Sequence, residues 1–258
     1  MENITETFCV IIPVFNNQRS IGSVIEQVLA YVKDVIVVND GSTDATGSVT
    51  ETAHLSHPKR VTVVSYGKNR GKGHAITQGF RAALQKGYRY AVTLDADGQH
   101  YAHNLTFFEQ SIRQNPGALI IGSRNLNALN MPQKNTFANR FSNFWFAVQT
   151  LKHLPDTQTG YRLYPLERLG RIHLVSSRYE AELELLVRSA WRGIRLVPIS
   201  IDVYYPAPDQ RVTHFRPTID FIRISILNTI LCIFAVIYGY PRMLLRRLFR
   251  KDANRWKK

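Results

Sequence analysis

The chain has 258 residues, of which 45% are hydrophobic, and a formal net charge of +14. That length and apolar content suit one large α/β domain with an appendage, and they exclude a disordered chain or a small scaffold that needs disulfides. Only two cysteines are present, Cys9 and Cys232, each inside an apolar run. Their spacing excludes a thiolate metal site and predicts buried free thiols in a reducing compartment.

The N-terminus "MENITETFCVIIPVF" carries acidic residues where an export signal needs basic ones, which predicts a cytoplasmic start. Strand and helix signals then alternate. "FCVIIPVF" reads as a strand and "SIGSVIEQVLAYV" as a helix, with Ser20 as its N-cap. "DVIVVND" is the second strand and "STDATGSVTETAHL" the next helix. "RVTVVSY" is followed by the helix "KGHAITQGFRAALQKG", which Gly87 should stop. "YAVTLDAD" is the fourth strand, a helix covers Asn104 to Arg113, and "GALIIGSR" is the fifth strand. Continuous apolar strands separated by helices imply a parallel sheet covered on both faces.

The second half is less regular. "NTFANRFSNFWFAVQTLKHL" and "YEAELELLVRSAWRG" read as helices, the latter stopped at Gly193, and "IRLVPISIDVYYP" as a late strand. The aromatic series Phe141, Phe144, Trp145 and Phe146 reads mostly as a core face that can also line a lipid groove. "APDQRVTHFRP" reads as a loop, and an apolar stretch and a basic tail close the chain.

In an open parallel sheet, ligands bind beyond the carboxyl ends of the strands. Four polar clusters fall there: "ND" of "VIVVNDGSTD", "GKNRGKGHA", "DADGQH" and "GSRN". Asp95 and Asp97 are one residue apart, and two carboxylates so close repel unless a positive charge joins them. Together with the Gln99 amide oxygen they can hold Mg²⁺ or Mn²⁺ against a diphosphate. The alternative is a plain turn in which Asp97 caps the following helix. His100 follows directly and can approach the same metal.

These pieces resemble the family 2 glycosyltransferases of GT-A type fold, nearest the dolichyl-phosphate-mannose synthase-like branch that glycosylates polyprenyl phosphates. The resemblance rests on "IIPVFNN", "VNDGSTDAT", "NRGKGHAITQGF", "LDADGQH", "IIGSRN" and "DTQTGYRLYP", in that order over about residues 8–165. It implies a Rossmann-like, mostly parallel sheet. It sets Pro13, Val14 and Asp40 against the base and ribose of a nucleotide-sugar, and Lys72 and Gly73 where the family closes on the nucleotide. It makes Asp95, Asp97 and Gln99 the metal and diphosphate site, with Asp97 catalytic. It assigns Arg124, Arg140 and Arg162 to the acceptor phosphate, with Arg211 of the late loop beside them. Arginine suits that task because its planar fork donates two hydrogen bonds to a phosphate. Asp156 falls where many relatives place a catalytic base; it is either that base or an orienting residue for Arg162 and the acceptor loop, or a helix-flanking cap after Pro155. Asn17 departs from the acidic residue common in the branch, and His214 and Arg216 stand in place of its late lysine.

The segment "FIRISILNTILCIFAVIYGY", Phe221–Tyr240, reaches ~30 Å as a straight helix, one hydrocarbon thickness at most. The stretch after it carries eight basic residues against one Asp, half of the chain's net charge. No zinc-finger, helix-turn-helix or RNA-binding motif accompanies that charge, so an anionic membrane surface is the expected partner and nucleic acid is not. Nucleotide-sugars are cytoplasmic, and basic tails stay cytoplasmic. The segment is therefore expected to lie in the interface or re-enter, a core or dimer helix being the alternative. The domain expectation is a catalytic unit over 1–217, with a nucleotide-sugar half to about 124 and an acceptor half from 125, then a membrane-binding appendage over 218–258. The function expected is inverting transfer of a hexose from GDP-mannose or a UDP-hexose to polyprenyl phosphate at the cytoplasmic face of the membrane. Transfer to a hydroxyl with Asp156 as base is the variant, and a non-catalytic nucleotide or anionic-lipid binding module the competing class.

Overall fold

The computed structural model describes residues 8–124, 133–170, 174–204 and 217–255. Its elements run β1 (Phe8–Val14), α1 (Ile21–Leu29), β2 (Val35–Asn39), α2 (Thr46–Ser56), β3 (Val61–Ser65), α3 (Lys72–Gln85), β4 (Tyr90–Thr93), α4 (Leu105–Gln114) and β5 (Leu119–Arg124). They continue with α5 (Gln133–Thr150), β6 (Arg162–Pro165), α6 (Leu166–Leu169), α7 (Glu180–Trp191), β7 (Leu196–Ile201) and α8 (Pro217–Phe234). A π-helical turn, Ala235–Gly239, joins α8 to α9 (Tyr240–Arg255).

The seven strands form one sheet in the order β3-β2-β1-β4-β6-β5-β7. Strand β1 alternates its side chains between two cores: Phe8, Val10, Ile12 and Val14 on one face, Cys9 and Ile11 on the other. Both faces are thus buried, which is why the strand reads as an unbroken apolar run. The first core is closed by α1, whose Ile21, Val24, Ile25, Val28 and Leu29 recur at helical spacing. Helix α3 packs so tightly on the opposite face that a Cβ on Gly79 would lie 2.4 Å from Ile11 Cγ2. It stops where expected, with Gly87 at φ +84°.

Two local expectations are corrected, at Ser20 and at Cys232. Ser20 precedes α1 but makes no side-chain cap; its hydroxyl lies 2.7 Å from Asn17 Oδ1 and 2.6 Å from the Ala96 carbonyl, tying the first loop to the Asp95–Asp97 turn. The sheet is mostly parallel as expected, and β6 in "YRLYP" runs antiparallel between β4 and β5. Cys232 is only partly buried, unlike Cys9.

From Pro217 to Arg255 the chain is helical without reversal, so α8, the π turn and α9 contain no re-entrant hairpin. The stretch Ile222–Leu248 is long and apolar enough to cross a membrane, with 28% of its most apolar window buried. One side docks on the domain: Leu227, Leu231 and Ala235 join the second core with Phe146, Leu186 and Trp191. Asn228 accepts a 2.9 Å bond from buried Gln149, and the Tyr240 hydroxyl donates to the Val148 carbonyl. The core therefore does not end at residue 217. The other side exposes Ile222, Ile226, Ile233, Phe234, Val236 and Ile237.

Candidate active site at the strand ends

The carboxyl ends of β1, β2, β4 and β5 converge on one edge of the sheet. Because β6 is antiparallel, the loop before it, Asp156–Tyr161, arrives at the same edge. Thr93 Oγ1 fastens that loop by donating to the Gly160 carbonyl at 2.6 Å.

Pro13 and Val14 end β1 as buried residues. Asp40 is 3% exposed and turns inward, its two oxygens accepting the Arg70 and Gly71 amide N–H groups at 2.8 Å each. It shapes the "NRGKG" loop, a second duty beside the expected ribose contact. Gly71 at φ +97° turns that loop into α3, and a Cβ on Gly73 would stand 2.2 Å from Ala181 Cβ. The start of α3 is thereby pressed against α7, with the His74 N–H donating to the Ser177 carbonyl at 3.1 Å.

The positive charge beside the paired carboxylates is Lys72. Its ammonium lies 2.6 Å from Asp95 Oδ1 and 2.8 Å from Glu182 Oε2. Burial opposes that charge, but Asp95 and Glu182 outweigh it and raise the Lys72 pKa. Burial likewise opposes ionised Asp95, and Lys72 overcomes it to hold Asp95 below the usual carboxylate range. Asp97 follows the opposite course: burial, then the Asp95 charge, push it up to about 6, while the Gln99 N–H donates to its Oδ1 at 3.0 Å. A carboxylate so raised suits an incoming cation. The donors are hard oxygens, two carboxylates one residue apart with the Gln99 amide in the same turn, and so fit Mg²⁺ or Mn²⁺. Among the described residues no cage of three or more Asp, Glu, His or Cys forms. His100 lies beside Tyr161, its buried Nδ1 without a hydrogen-bond partner, and burial lowers its pKa to about 4, leaving a neutral imidazole.

In the loop before β6, Asp156 is fully buried and its carboxylate is saturated. Oδ2 accepts Arg124 Nε at 2.6 Å and the Arg124 N–H at 3.3 Å. Oδ1 accepts Asn139 Nδ2 at 2.6 Å, Arg124 Nη2 and the Gln158 N–H at 3.0 Å each, and the Thr159 N–H at 3.2 Å. Burial favours the neutral acid, but the Arg124 hydrogen bonds and charge prevail and lower its pKa. Arg140, next to the pinned Asn139, is exposed.

Arg162 departs from its expected place. It is fully buried, with Nη1 donating to the Glu182 carbonyl at 2.7 Å and Nη2 to the Thr157 carbonyl at 2.8 Å. Its geometry is that of an interior brace between the Asp156 loop and α7. Asp156 hydrogen-bonds Arg124 and its own loop at Gln158 and Thr159, and it acts on Arg162 by charge. Arg211, with the rest of its loop, lies outside the described residues. The aromatic series is divided: Phe146 is buried, whereas Phe144 is 60% exposed. Two contributors escaped the sequence reading, Glu182 and Asn139. The available signal for Glu182 was a carboxylate set among the leucines of "EAELELL", on a helix with little polar surface.

The sheet and its flanking helices make a fold of the GT-A type. The chain belongs to glycosyl transferase family 2, whose model matches residues 9–167. It is 31% identical over 210 residues to polyprenol monophosphomannose synthase of Mycolicibacterium smegmatis, covering 76% of this chain and 77% of that protein. It is 30% identical over 199 residues to undecaprenyl-phosphate mannosyltransferase of Micrococcus luteus, covering 74% and 81%. In three dimensions it resembles mannosyl-3-phosphoglycerate synthase from Rubrobacter xylanophilus, with TM-score 0.60, 20% identity, and 96% and 75% of the two chains covered. It also resembles glucosyl-3-phosphoglycerate synthase from Mycobacterium tuberculosis, crystallised with Mn²⁺, UDP and phosphoglyceric acid, with TM-score 0.59, 18% identity, and 89% and 78% covered. At these identities the solved structures speak to the fold alone.

Proposed function

We propose that this enzyme transfers a hexose, with inversion, from GDP-mannose or a UDP-hexose to polyprenyl phosphate at the cytoplasmic face of a membrane. The observation that carries the acceptor assignment is the saturated Asp156 carboxylate. A hydroxyl acceptor needs a base with an open lone pair and a pKa near the working pH. Asp156 has neither. A phosphate acceptor is already anionic and needs no base, which fits a residue spent on aiming Arg124. The names of the two mannosyl-transferring relatives agree with a lipid phosphate.

In this reading, Asp95, Asp97 and Gln99 hold Mg²⁺ or Mn²⁺ with the donor diphosphate. The bound ion supplies positive charge to the leaving diphosphate. The start of α3 and the loop held by Asp40 border the nucleotide. Arg124, fixed by Asp156, and Arg140 receive the acceptor phosphate, whose oxygen attacks C1 of the sugar opposite the diphosphate. Arg162 braces the loop from behind.

The C-terminal helix supports interfacial attachment. A helix docked on one side through Leu227, Leu231 and Ala235 offers lipid only its other side. Cations gather at its lower half: burial, then Arg247 and Arg246, lower the pKa of Lys152, and Arg246 is lowered by burial and then Arg242. Such mutual repulsion is relieved by an anionic surface.

The test supplies purified full-length protein with labelled GDP-mannose or UDP-glucose, and with polyprenyl phosphate or the matching polyprenol, with Mn²⁺ or with chelator. Organic-phase product is expected from the phosphate and not from the alcohol. Transfer to the alcohol with loss on Asp156→Asn would reverse the acceptor assignment.

A further inference from the structure

We infer that Lys72 is an exchangeable counter-ion of the donor site, competing with the divalent cation for Asp95, and that Glu182 is the positioning residue that retains it when the cation arrives. This rests on the divalent-cation reading of Asp95 and Asp97 given above.

The ammonium bridges Asp95 Oδ1 and Glu182 Oε2, at 2.6 and 2.8 Å. Gly160 closes a third side: a Cβ there would lie 2.9 Å from both Lys72 Nζ and Asp95 Oδ2. Ammonium and divalent ion therefore cannot both take the same Asp95 oxygen without one yielding. Two of the ammonium's three N–H donors meet Asp95 Oδ1 and Glu182 Oε2, and losing Asp95 releases one that must find another buried partner. The structure holds its replacement. Glu182 Oε1 is buried beside the pair and has no hydrogen-bond partner. When Asp95 goes to the cation, that oxygen accepts the released N–H. Lys72 then stays charged at the start of α3, facing the diphosphate. The placement of Glu182 is itself fixed, because its carbonyl accepts Arg162 and its neighbour Ala181 packs on Gly73.

Mn²⁺ binding by the nucleotide-free, full-length protein provides the test, followed by the electron paramagnetic resonance of the free ion. Lys72→Met should tighten Mn²⁺ binding by about tenfold or more, since it removes a charge within a few ångströms. The same variant should weaken binding of nucleoside diphosphate with Mn²⁺ present. Glu182→Gln should weaken Mn²⁺ binding several-fold, because Lys72 then pairs with Asp95 alone. In the Lys72→Met background the Glu182→Gln change should have little effect. Lys72→Met/Glu182→Gln removes one buried charge of each sign, so it covers the case in which Lys72→Met fails to fold; it should bind Mn²⁺ more tightly than Glu182→Gln. Unchanged or weaker Mn²⁺ binding on removing Lys72 overturns the inference, as does a Glu182→Gln effect of the same size with and without Lys72. Asp97→Asn separates the two levels. If it leaves Mn²⁺ binding intact, the cation lies elsewhere, and the donor-site reading fails together with the exchange built on it.

Discussion

Arg124 and Asp156 meet at two points, Nε to Oδ2 at 2.6 Å and Nη2 to Oδ1 at 3.0 Å, across 32 residues of sequence. The pair fixes the guanidinium at the end of β5 and the loop before β6 with one contact. Asn139 donates to the same carboxylate and adds α5. The end of β5, the loop before β6 and α5 are therefore held by a single buried side chain.

Asp156→Asn should cost about 3 kcal/mol of stability, because it takes one charge from a hydrogen-bonded ion pair whose carboxylate is fully buried. Its pH dependence has a definite sign. The folded pKa of Asp156 lies below the ordinary value. Its contribution is complete above the unfolded pKa and is lost as pH falls through the folded one. The stability gap between wild type and Asp156→Asn, measured by urea titration, should be constant around neutrality and shrink below about pH 4. A gap that opens or closes between pH 6 and 8 would contradict the lowered pKa.

Arg140 and Arg162 should separate cleanly. Arg140 is exposed, and Arg140→Ala is expected to raise the acceptor KM with donor affinity and melting temperature unchanged. Arg162 is interior, and Arg162→Ala should lower stability by several kcal/mol, because it empties a fully buried position and removes the links to the Thr157 and Glu182 carbonyls. Equal thermal damage from both, or a purely kinetic defect in Arg162→Ala, would mean their roles are misassigned.

Asp97→Ala should reduce turnover by about 10²–10³-fold or more at saturating donor, the scale of losing a charge-stabilising group. Excess chelator should reproduce the loss in wild type. Near-normal turnover in either experiment would remove the cation from the mechanism.

Much of this was legible in the sequence, for identifiable reasons. Strands β1, β2, β4 and β5 are buried on both faces, so their apolar runs stand out without periodicity, and the polar residues at their ends mark the site edge. Strand β6 was hidden because four residues closed by Pro165 acquire strand character only between two longer neighbours. The duties of Asp156 and Arg162 were hidden because burial is a tertiary property: nothing local distinguishes an arginine that meets a ligand from one that meets carbonyls. Glu182 was hidden by its leucine neighbours, and its meaning appears only when Lys72 arrives from α3.

The C-terminal helix yields the last prediction. A chain ending at Pro217 has the whole sheet, and on sequence grounds alone it should be a soluble domain. The packing says otherwise. Leu227, Leu231 and Ala235 belong to the core shared with Phe146, Leu186 and Trp191, and each large side chain so buried contributes about 1.5–3 kcal/mol. Truncation should therefore expose that core and yield an aggregating or strongly destabilised protein. Membrane attachment is separable by surface changes instead. Ile226, Ile233 and Ile237 are 57%, 55% and 71% exposed. Replacing all three with serine should leave the melting temperature within a few degrees and release most of the protein from vesicles. Replacing Arg242, Arg246 and Arg247 with glutamine should weaken binding to vesicles containing anionic lipid, at about 1 kcal/mol for each charge near the surface, and have little effect on neutral vesicles. High salt should screen the basic contribution but not the apolar one, so wild type should be stripped only in part. Sedimentation with vesicles of each composition measures both. Full release of wild type by salt alone would assign attachment to charge, and a soluble, cooperatively folded truncation at Pro217 would detach the helix from the core to which its packing assigns it.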